Sequence, residues 1–411
     1  MSEKINYNAY IFIFLKWILL LLIVGIAAGT LSAIFLTALN WATTFREAHI
    51  RIIYLLPVAG LLTGLLYHYL GNDVERGNNL VLDTIHNPGN VIPFKMAPLV
   101  LLGTIITHLF GGSAGREGTA LQMSAAAADQ LHRPFKLTKQ ERTILLIAGL
   151  SAGFASVFGT PVAGAIFGLE VLLMGRILYK AIVPAIAAAF IAAGVTELWG
   201  VGHTHYAITE IPVISFQGIG ISVLAGIAFG LAAVAFVQFT HLFGKVFKAI
   251  KYAPLRPFAG GMLVVVLVML LGTYKYIGLG IPVIVDSFLH YSAPEDFALK
   301  MLLTAVTIGA GFKGGEVTPL FFIGATLGSA LSIWLPLPIS LLAGMGFVAV
   351  FAGASKTPVA CCVMALELFG ISCGIYVIVA CTVSYLISGS HNIYNPAENK
   401  TPKHFLIKQF L

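Results

Sequence analysis

Charge is scarce in this chain. Of its 411 residues only 10% are Asp, Glu, Lys or Arg, against roughly 25% in soluble domains. Hydrophobic residues make up 58%, and the mean hydropathy is +0.92. A water-soluble fold of this length could not hide so much apolar surface, so the bilayer must serve as solvent for most of it. Cysteine is scarce too: there are 4, at Cys361, Cys362, Cys373 and Cys381, none in a CxxC pair. They read as small buried helix residues rather than disulfides or metal ligands. His203 and His205 stand two apart without an evident third ligand, so no metal and no cofactor is expected. The chain also lacks HExxH and any nucleophile–base pair in an apolar segment, which argues against an intramembrane enzyme. No aromatic-plus-basic motif suggests nucleic acid. The net charge of +7 is read instead as Lys and Arg in cytoplasmic loops.

Apolar runs fall near residues 10–39, 51–70, 143–157, 179–198, 217–243, 258–277, 340–354 and 371–388, with shorter ones between. The first is too long for a signal-peptide core and lacks a clear cleavage site, so it reads as a membrane helix. No soluble regulatory domain is expected after the last. Many runs are shorter than the roughly 20 residues needed to span a bilayer. Several start at glycine clusters or Thr-Pro pairs, the mark of broken helices that begin inside the membrane. Basic loops at 132–142 and 245–256 are expected in the cytoplasm with both termini. The reading is therefore an all-α, multi-pass protein of the cell's inner (plasma) membrane.

An internal repeat organises it. Gly159-Thr160-Pro161-Val162-Ala163, leading to Leu169-Glu170, recurs as Lys356-Thr357-Pro358-Val359-Ala360, leading to Leu366-Glu367. Gly115-Arg116-Glu117-Gly118-Thr119 is echoed by Gly314-Gly315-Glu316-Val317-Thr318, and Gly77-Asn78-Asn79 more weakly by Gly278-Leu279-Gly280. The three pairs keep their order at an offset of about 200 residues, which makes two homologous halves. In membranes such halves are usually inverted, with the substrate site between them near the midplane. The expected division is a tail and first helix (1–50), a first repeat (51–243), a basic linker (244–257), a second repeat (258–396) and a tail (397–411).

Charge inside an apolar segment is costly and usually functional. Arg116-Glu117 stands where a small-residue helix begins, and a helix start exposes unpaired N–H groups and the positive end of its dipole. Two roles fit Glu117 from residues alone. It caps the helix or pairs with Arg116, or it acts as a tethered anion that a mobile anion displaces or a proton neutralises. Gly118 belongs to the same turn. Val317 and Thr318, before Pro319, suit a second helix start, offering backbone N–H groups and a hydroxyl; a plain capping threonine fits as well. Asn78 and Asn79 form a turn or offer amide donors. A tyrosine such as Tyr394 at a helix end usually anchors at the membrane interface.

Taken together, GREG at 115–118, Gly159-Thr160-Pro161, GGEVTP at 314–319 and Tyr394 resemble the CLC family of chloride channels and anion/proton exchangers, over residues 12 to 396. The resemblance implies a homodimer in lipid, with one pore per subunit and about eighteen helices in two inverted repeats. It also implies that Glu117 is the gating glutamate, that the 77–79 turn is the first ion-coordinating loop, that 314–319 supplies backbone donors and that Tyr394 supplies a hydroxyl. Three departures point to the ion. Asn78 stands where chloride-transporting relatives have serine, Thr119 follows GREG where they have proline, and Val317-Thr318-Pro319 replaces F-x-P. These look like the bacterial fluoride-exporting clade. Asn79 remains a rival for Asn78. Val171 occupies the place of the second, internal glutamate of many chloride/proton exchangers, which does not separate channel from antiporter. The expectation is a fluoride/proton antiporter. The alternatives are a chloride/proton exchanger and a passive chloride channel.

Overall fold

The computed structural model describes residues 7–89, 91–171 and 178–394. The expected C-terminal tail at 397–411 lies outside them, as do residues 1–6 of the N-terminal tail. Among the described residues there are sixteen α-helices joined by short 3-10 turns, where the family resemblance implies about eighteen. Eight make the first half: α1 (Tyr7–Ala48), α2 (Leu56–Leu70), α3 (Asn78–His86), α4 (Met96–Leu109), α5 (Glu117–Asp129), α6 (Lys139–Phe158), α7 (Pro161–Glu170) and α8 (Ile182–Leu198). The second half repeats them as α9 (Phe216–Lys248), α10 (Leu255–Leu271), α11 (Ile281–Asp286), α12 (Asp296–Gly309), α13 (Val317–Leu331), α14 (Ile339–Ser355), α15 (Pro358–Phe369) and α16 (Gly374–Ile387). Among the described residues, five segments are long and apolar enough to cross a bilayer: 11–48, 50–70, 139–158, 179–198 and 216–248. The half-length helices between them need neighbours to satisfy their ends, because lipid offers no hydrogen bonds.

This pairing puts the internal boundary between α8 and α9, not at 244–257. Helix α9 runs unbroken through Lys248, and α10 has begun by Leu255. The first helix does not stand apart; it is the counterpart of α9. Two long apolar helices share composition but no motif, so sequence alone does not match them.

The repeated Thr-Pro motif has a clear cause. Helix α6 ends at Gly159, with φ 70°, and α14 ends at Lys356, with φ 62°, both left-handed. Each is followed by a threonine and then by proline in the first turn of α7 or α15. The left-handed residue stops one helix, and proline, whose missing N–H costs nothing there, starts the next.

The core is built on close helix approach. A Cβ at Gly324 of α13 would lie 2.0 Å from Gly346 O of α14. In the first half, a Cβ at Gly153 of α6 would lie 2.9 Å from Ala120 O of α5. Small residues at such contacts let helices pack by van der Waals contact where there is no hydrophobic drive. The α5 and α13 half-helices are thereby held rigidly, with their N-termini at the centre of the molecule.

One basic residue departs from its expected role. Arg142, assigned from sequence to a solvated loop, is buried; its Nε donates to Asp129 Oδ1 at 2.6 Å and its Nη2 to Oδ2 at 2.7 Å. Asp129 ends α5, so the pair ties that helix to α6 in the bidentate geometry suited to Arg.

Candidate anion pathway at the repeat interface

The N-termini of α5 and α13 meet head to head. Gly115 N donates to Gly315 O at 2.6 Å and Gly315 N to Gly115 O at 2.8 Å, an isolated antiparallel bridge between equivalent residues of the two halves. Reciprocal bonding of equivalent residues is what an approximate two-fold axis between inverted halves produces.

The same exchange recurs nearby. Glu170, ending α7, accepts from Val359 N at 3.0 Å and Ala360 N at 2.7 Å at the start of α15. Glu367 of α15 accepts from Val162 N at 2.9 Å and Ala163 N at 2.7 Å at the start of α7. Each carboxylate thus satisfies the orphan donors of the other half's helix and lies against its positive dipole end.

Glu117 sits at the bridge and is 1% exposed. Its Oε2 accepts from Thr318 N at 3.1 Å and from Arg116 N at 3.0 Å, and its Oε1 accepts from the Thr318 hydroxyl. The carboxylate therefore caps α13, the helix of the opposite half, while also holding the N-cap N–H of its own helix. Arg116 Nε stands 3.8 Å from Oε1, too far for a hydrogen bond. A negatively charged group held by a helix start and a hydroxyl occupies what would otherwise receive a free anion.

Gly118 and Asn78 are fitted to each other: a Cβ at Gly118 would lie 2.8 Å from Asn78 Nδ2 and 3.3 Å from Gly315 Cα. Gly77, whose φ of 54° favours glycine, precedes Asn78 and turns the chain into α3. The Asn78 Oδ1 and the Tyr394 hydroxyl are buried without a hydrogen-bond partner. Both residues line a cavity of about 230 Å³ together with Asn79, Gln122, Lys313 and Glu316. Asn79, Lys313 and Glu316 also line a wider vestibule of about 520 Å³, whose rim carries Lys248 and Arg256. On the other side of the bridge a space of about 20 Å³ is lined by Arg116, Glu117, His203, Tyr206 and Thr318. Glu117 and Thr318 therefore face the small space, and Asn78 and Tyr394 face the large one, with the bridge between them.

Of the residues singled out from sequence, Glu117, Gly118, Thr318 and Asn78 come together here, and Tyr394 reaches the inner cavity. Val317 is buried in the hydrophobic core at the first turn of α13. Between the two asparagines, Asn78 packs against Gly118 and Asn79 lines the wider vestibule. Thr119 lies within the core, its hydroxyl 2.7 Å from that of Thr104 on α4. Its difference from proline therefore changes how α5 packs, not the cavity wall. His203 is tethered through Nδ1 to Val157 O at 3.1 Å. Sequence reasoning gave no role to Lys313 or Gln122, and treated Glu316 only as part of a motif. The one available signal was charge inside an apolar segment, which at 313–316 is the same signal that marked Arg116-Glu117.

The family model described as voltage gated chloride channel matches residues 59–389. A chloride/fluoride channel protein of Pseudomonas syringae pv. tomato is 52% identical over 95% of this chain and 88% of its own length. The crystal structure of a CLC-type fluoride/proton antiporter superposes with a TM-score of 0.89 at 34% identity, covering 96% of this chain and 98% of that one. A slow cyanobacterial Cl−/H+ antiporter shares the fold, with a TM-score of 0.80 at 18% identity over 96% and 97% of the two chains. With helix starts of two inverted halves meeting over a buried glutamate, and relatives matched along almost the whole length, the chain belongs to the CLC family.

Proposed function

We propose that this protein exports fluoride in exchange for protons, with Glu117 serving both ions in turn. The observation that carries the reading is the Glu117 carboxylate held on the N-terminus and hydroxyl of Thr318, with a cavity on either side. A carboxylate so placed is a tethered competitor of a mobile anion. When an anion takes the Thr318 donors, the carboxylate is released toward water, where it picks up a proton. When it returns, the proton is delivered to the opposite side. One group therefore alternates between the two substrates.

Fluoride is small and strongly hydrated, and stripping its water costs many kcal/mol, a cost that only short, strong donors offset. The Thr318 hydroxyl, its N–H and the Asn78 amide are donors of that kind. The similarity to the chloride/fluoride channel protein and to the fluoride/proton antiporter supports the choice of ion. Glu316, on the cavity wall beside Tyr394, is a second carboxyl that protons could use between Glu117 and the vestibule. The vestibule with Lys248 and Arg256 at its rim is taken as the cytoplasmic side, where such residues collect. A second copy of the chain is expected against the exposed apolar face that includes Val162, Val183, Phe190, Val359 and Ile375.

Purified protein in liposomes, followed with fluoride and chloride electrodes and a pH electrode, tests the reading. Fluoride efflux should drive proton uptake in a fixed ratio and exceed chloride efflux. Chloride flux equal to or faster than fluoride makes the protein a chloride/proton exchanger. Anion flux without proton movement makes it a passive channel.

A further inference from the structure

The repeat places Ser113 and Lys313 in equivalent positions, each two residues before a bridging glycine. Their situations differ. Ser113 is buried and occupied: its N donates to Thr307 Oγ1 at 3.2 Å, and its hydroxyl lies 2.9 Å from that of Thr304. Lys313 instead stands on the wall shared by the inner cavity and the vestibule. Its stem lies on α4 at Gly103, where a Cβ would fall 2.8 Å from Lys313 Cγ. Its ammonium sits 3.9 Å above the Tyr67 ring of α2. Among the described residues, no carboxylate lies within ion-pair distance of it and no hydrogen-bond acceptor reaches it. Of the other cations on that side, Arg76 pairs with Asp83 and Arg256 Nε donates to Ile250 O at 3.0 Å. Glu75 and Glu316 line the same cavity; Glu75 acts on Lys313 through its charge but lies beyond ion-pair distance.

An ammonium carries three donors. A ring face attracts the charge from one side but satisfies none of them as an oxygen would. The remaining donors are left for whatever fills the cavity. A cation in a cleft with low-dielectric walls raises the local anion concentration by roughly 10- to 1,000-fold. An anion crossing from the vestibule to Asn78 and Tyr394 passes this wall.

We infer that Lys313, positioned by Tyr67 and Gly103, is a loading subsite for a small halide at the inner mouth, occupied before the ion reaches the Glu117 site. The inference rests on the reading of the protein as an anion transporter, but not on which halide it moves. The first half has a buried, hydrogen-bonded serine at the equivalent place, so the subsite has no counterpart there and favours uptake from the vestibule side.

The test uses the full chain in liposomes, with internal fluoride, and separately internal chloride, varied over a wide range. Lys313→Met, which keeps the stem, should raise the half-saturating internal anion concentration about tenfold. Its maximal rate should stay within about twofold of wild type, with the proton-to-anion ratio unchanged. Lys313→Arg should stay near wild type, and Tyr67→Phe, which keeps the ring face, should do less harm than Tyr67→Leu. Raising ionic strength with an impermeant salt should shrink the Lys313→Met effect, since screening acts on the long-range part. The inference is overturned by an unchanged half-saturation in monodisperse Lys313→Met, by a loss confined to the maximal rate, or by Lys313→Arg failing as badly as Lys313→Met. Failure of the fluoride assignment is seen separately, because the chloride series reads the same subsite. If the wild type moves neither ion, titration of the purified protein with sodium fluoride and sodium chloride decides. Loss of one binding event in Lys313→Met supports the subsite, and identical isotherms overturn it.

Discussion

The turn at 115–118 and its counterpart at 315–318 share one backbone design and carry opposite chemistry. Both place a glycine in the inter-repeat bridge and start a half-helix two residues later. The first presents a carboxylate, and the second presents the hydroxyl and N–H that receive it. The flanking elements diverge in the same way. Asn78 opens α3 against Gly118, while the matching six-residue α11 opens with Ile281-Pro282. The symmetric backbone brings the two turns together, and the unequal side chains give one a carboxylate and the other its donors.

Removing the carboxylate should break the comparison most severely. Glu117→Gln keeps the shape but cannot release a proton, and proton uptake driven by fluoride should fall by about two orders of magnitude or more; a pH electrode on reconstituted liposomes reads it directly. On the receiving turn, Thr318→Val removes one of two donors. A hydrogen bond to a charged group is worth about 1.5–3 kcal/mol, so fluoride flux should drop roughly ten- to hundredfold, whereas Thr318→Ser should retain most of it.

The close fit at Gly118 can be sharpened with a pair of changes. Gly118→Ala puts a methyl against Asn78 and Gly315, and overpacking of this kind costs typically 1–3 kcal/mol. The loss of flux and of melting temperature should be partly relieved when Asn78→Ala is added.

Smaller effects test the swapped carboxylates. Glu170 is 6% exposed and buried, whereas Glu367 is exposed. Glu170→Gln should lower stability by about 1.5–3 kcal/mol, and Glu367→Gln by less, because solvent screens it. Thermal unfolding in detergent should rank them in that order; equal or reversed losses would show that burial does not set the difference. The smallest expected effect is at the start of α6. There Thr138 forms a capping box with Glu141, and Thr138→Ala should cost about 1 kcal/mol. The matching start of α14 has Pro338 and no side-chain cap, so no equivalent loss is available there.

The place of Glu117 was legible in the sequence, because Arg116-Glu117 interrupts an apolar stretch and charge there is conspicuous. The sequence carried the repeat wherever backbone geometry dictates residue type, as at the left-handed residue followed by Thr-Pro. It did not carry the pairing of α1 with α9, since lipid asks only that long helices be apolar and leaves their identities free. Thr119 was visible as a difference but not as a contact: its bond to Thr104 depends on how α4 crosses α5. Arg142 was read as solvated because its basic neighbours are, and the partner that buries it, Asp129, lies thirteen residues earlier on another helix. Lys313 was missed for the same reason, since the ring it rests on is in α2.

The exchange of Glu170 and Glu367 also makes neither half chemically complete. Separated, each would hold a carboxylate without its donors and a helix start without its acceptor. Every such half needs another like it, turned the opposite way. The two halves of this chain are thus bound as obligate partners by the same bonds that two unjoined copies would have formed, and the peptide linking them guarantees their one-to-one supply rather than creating their fit.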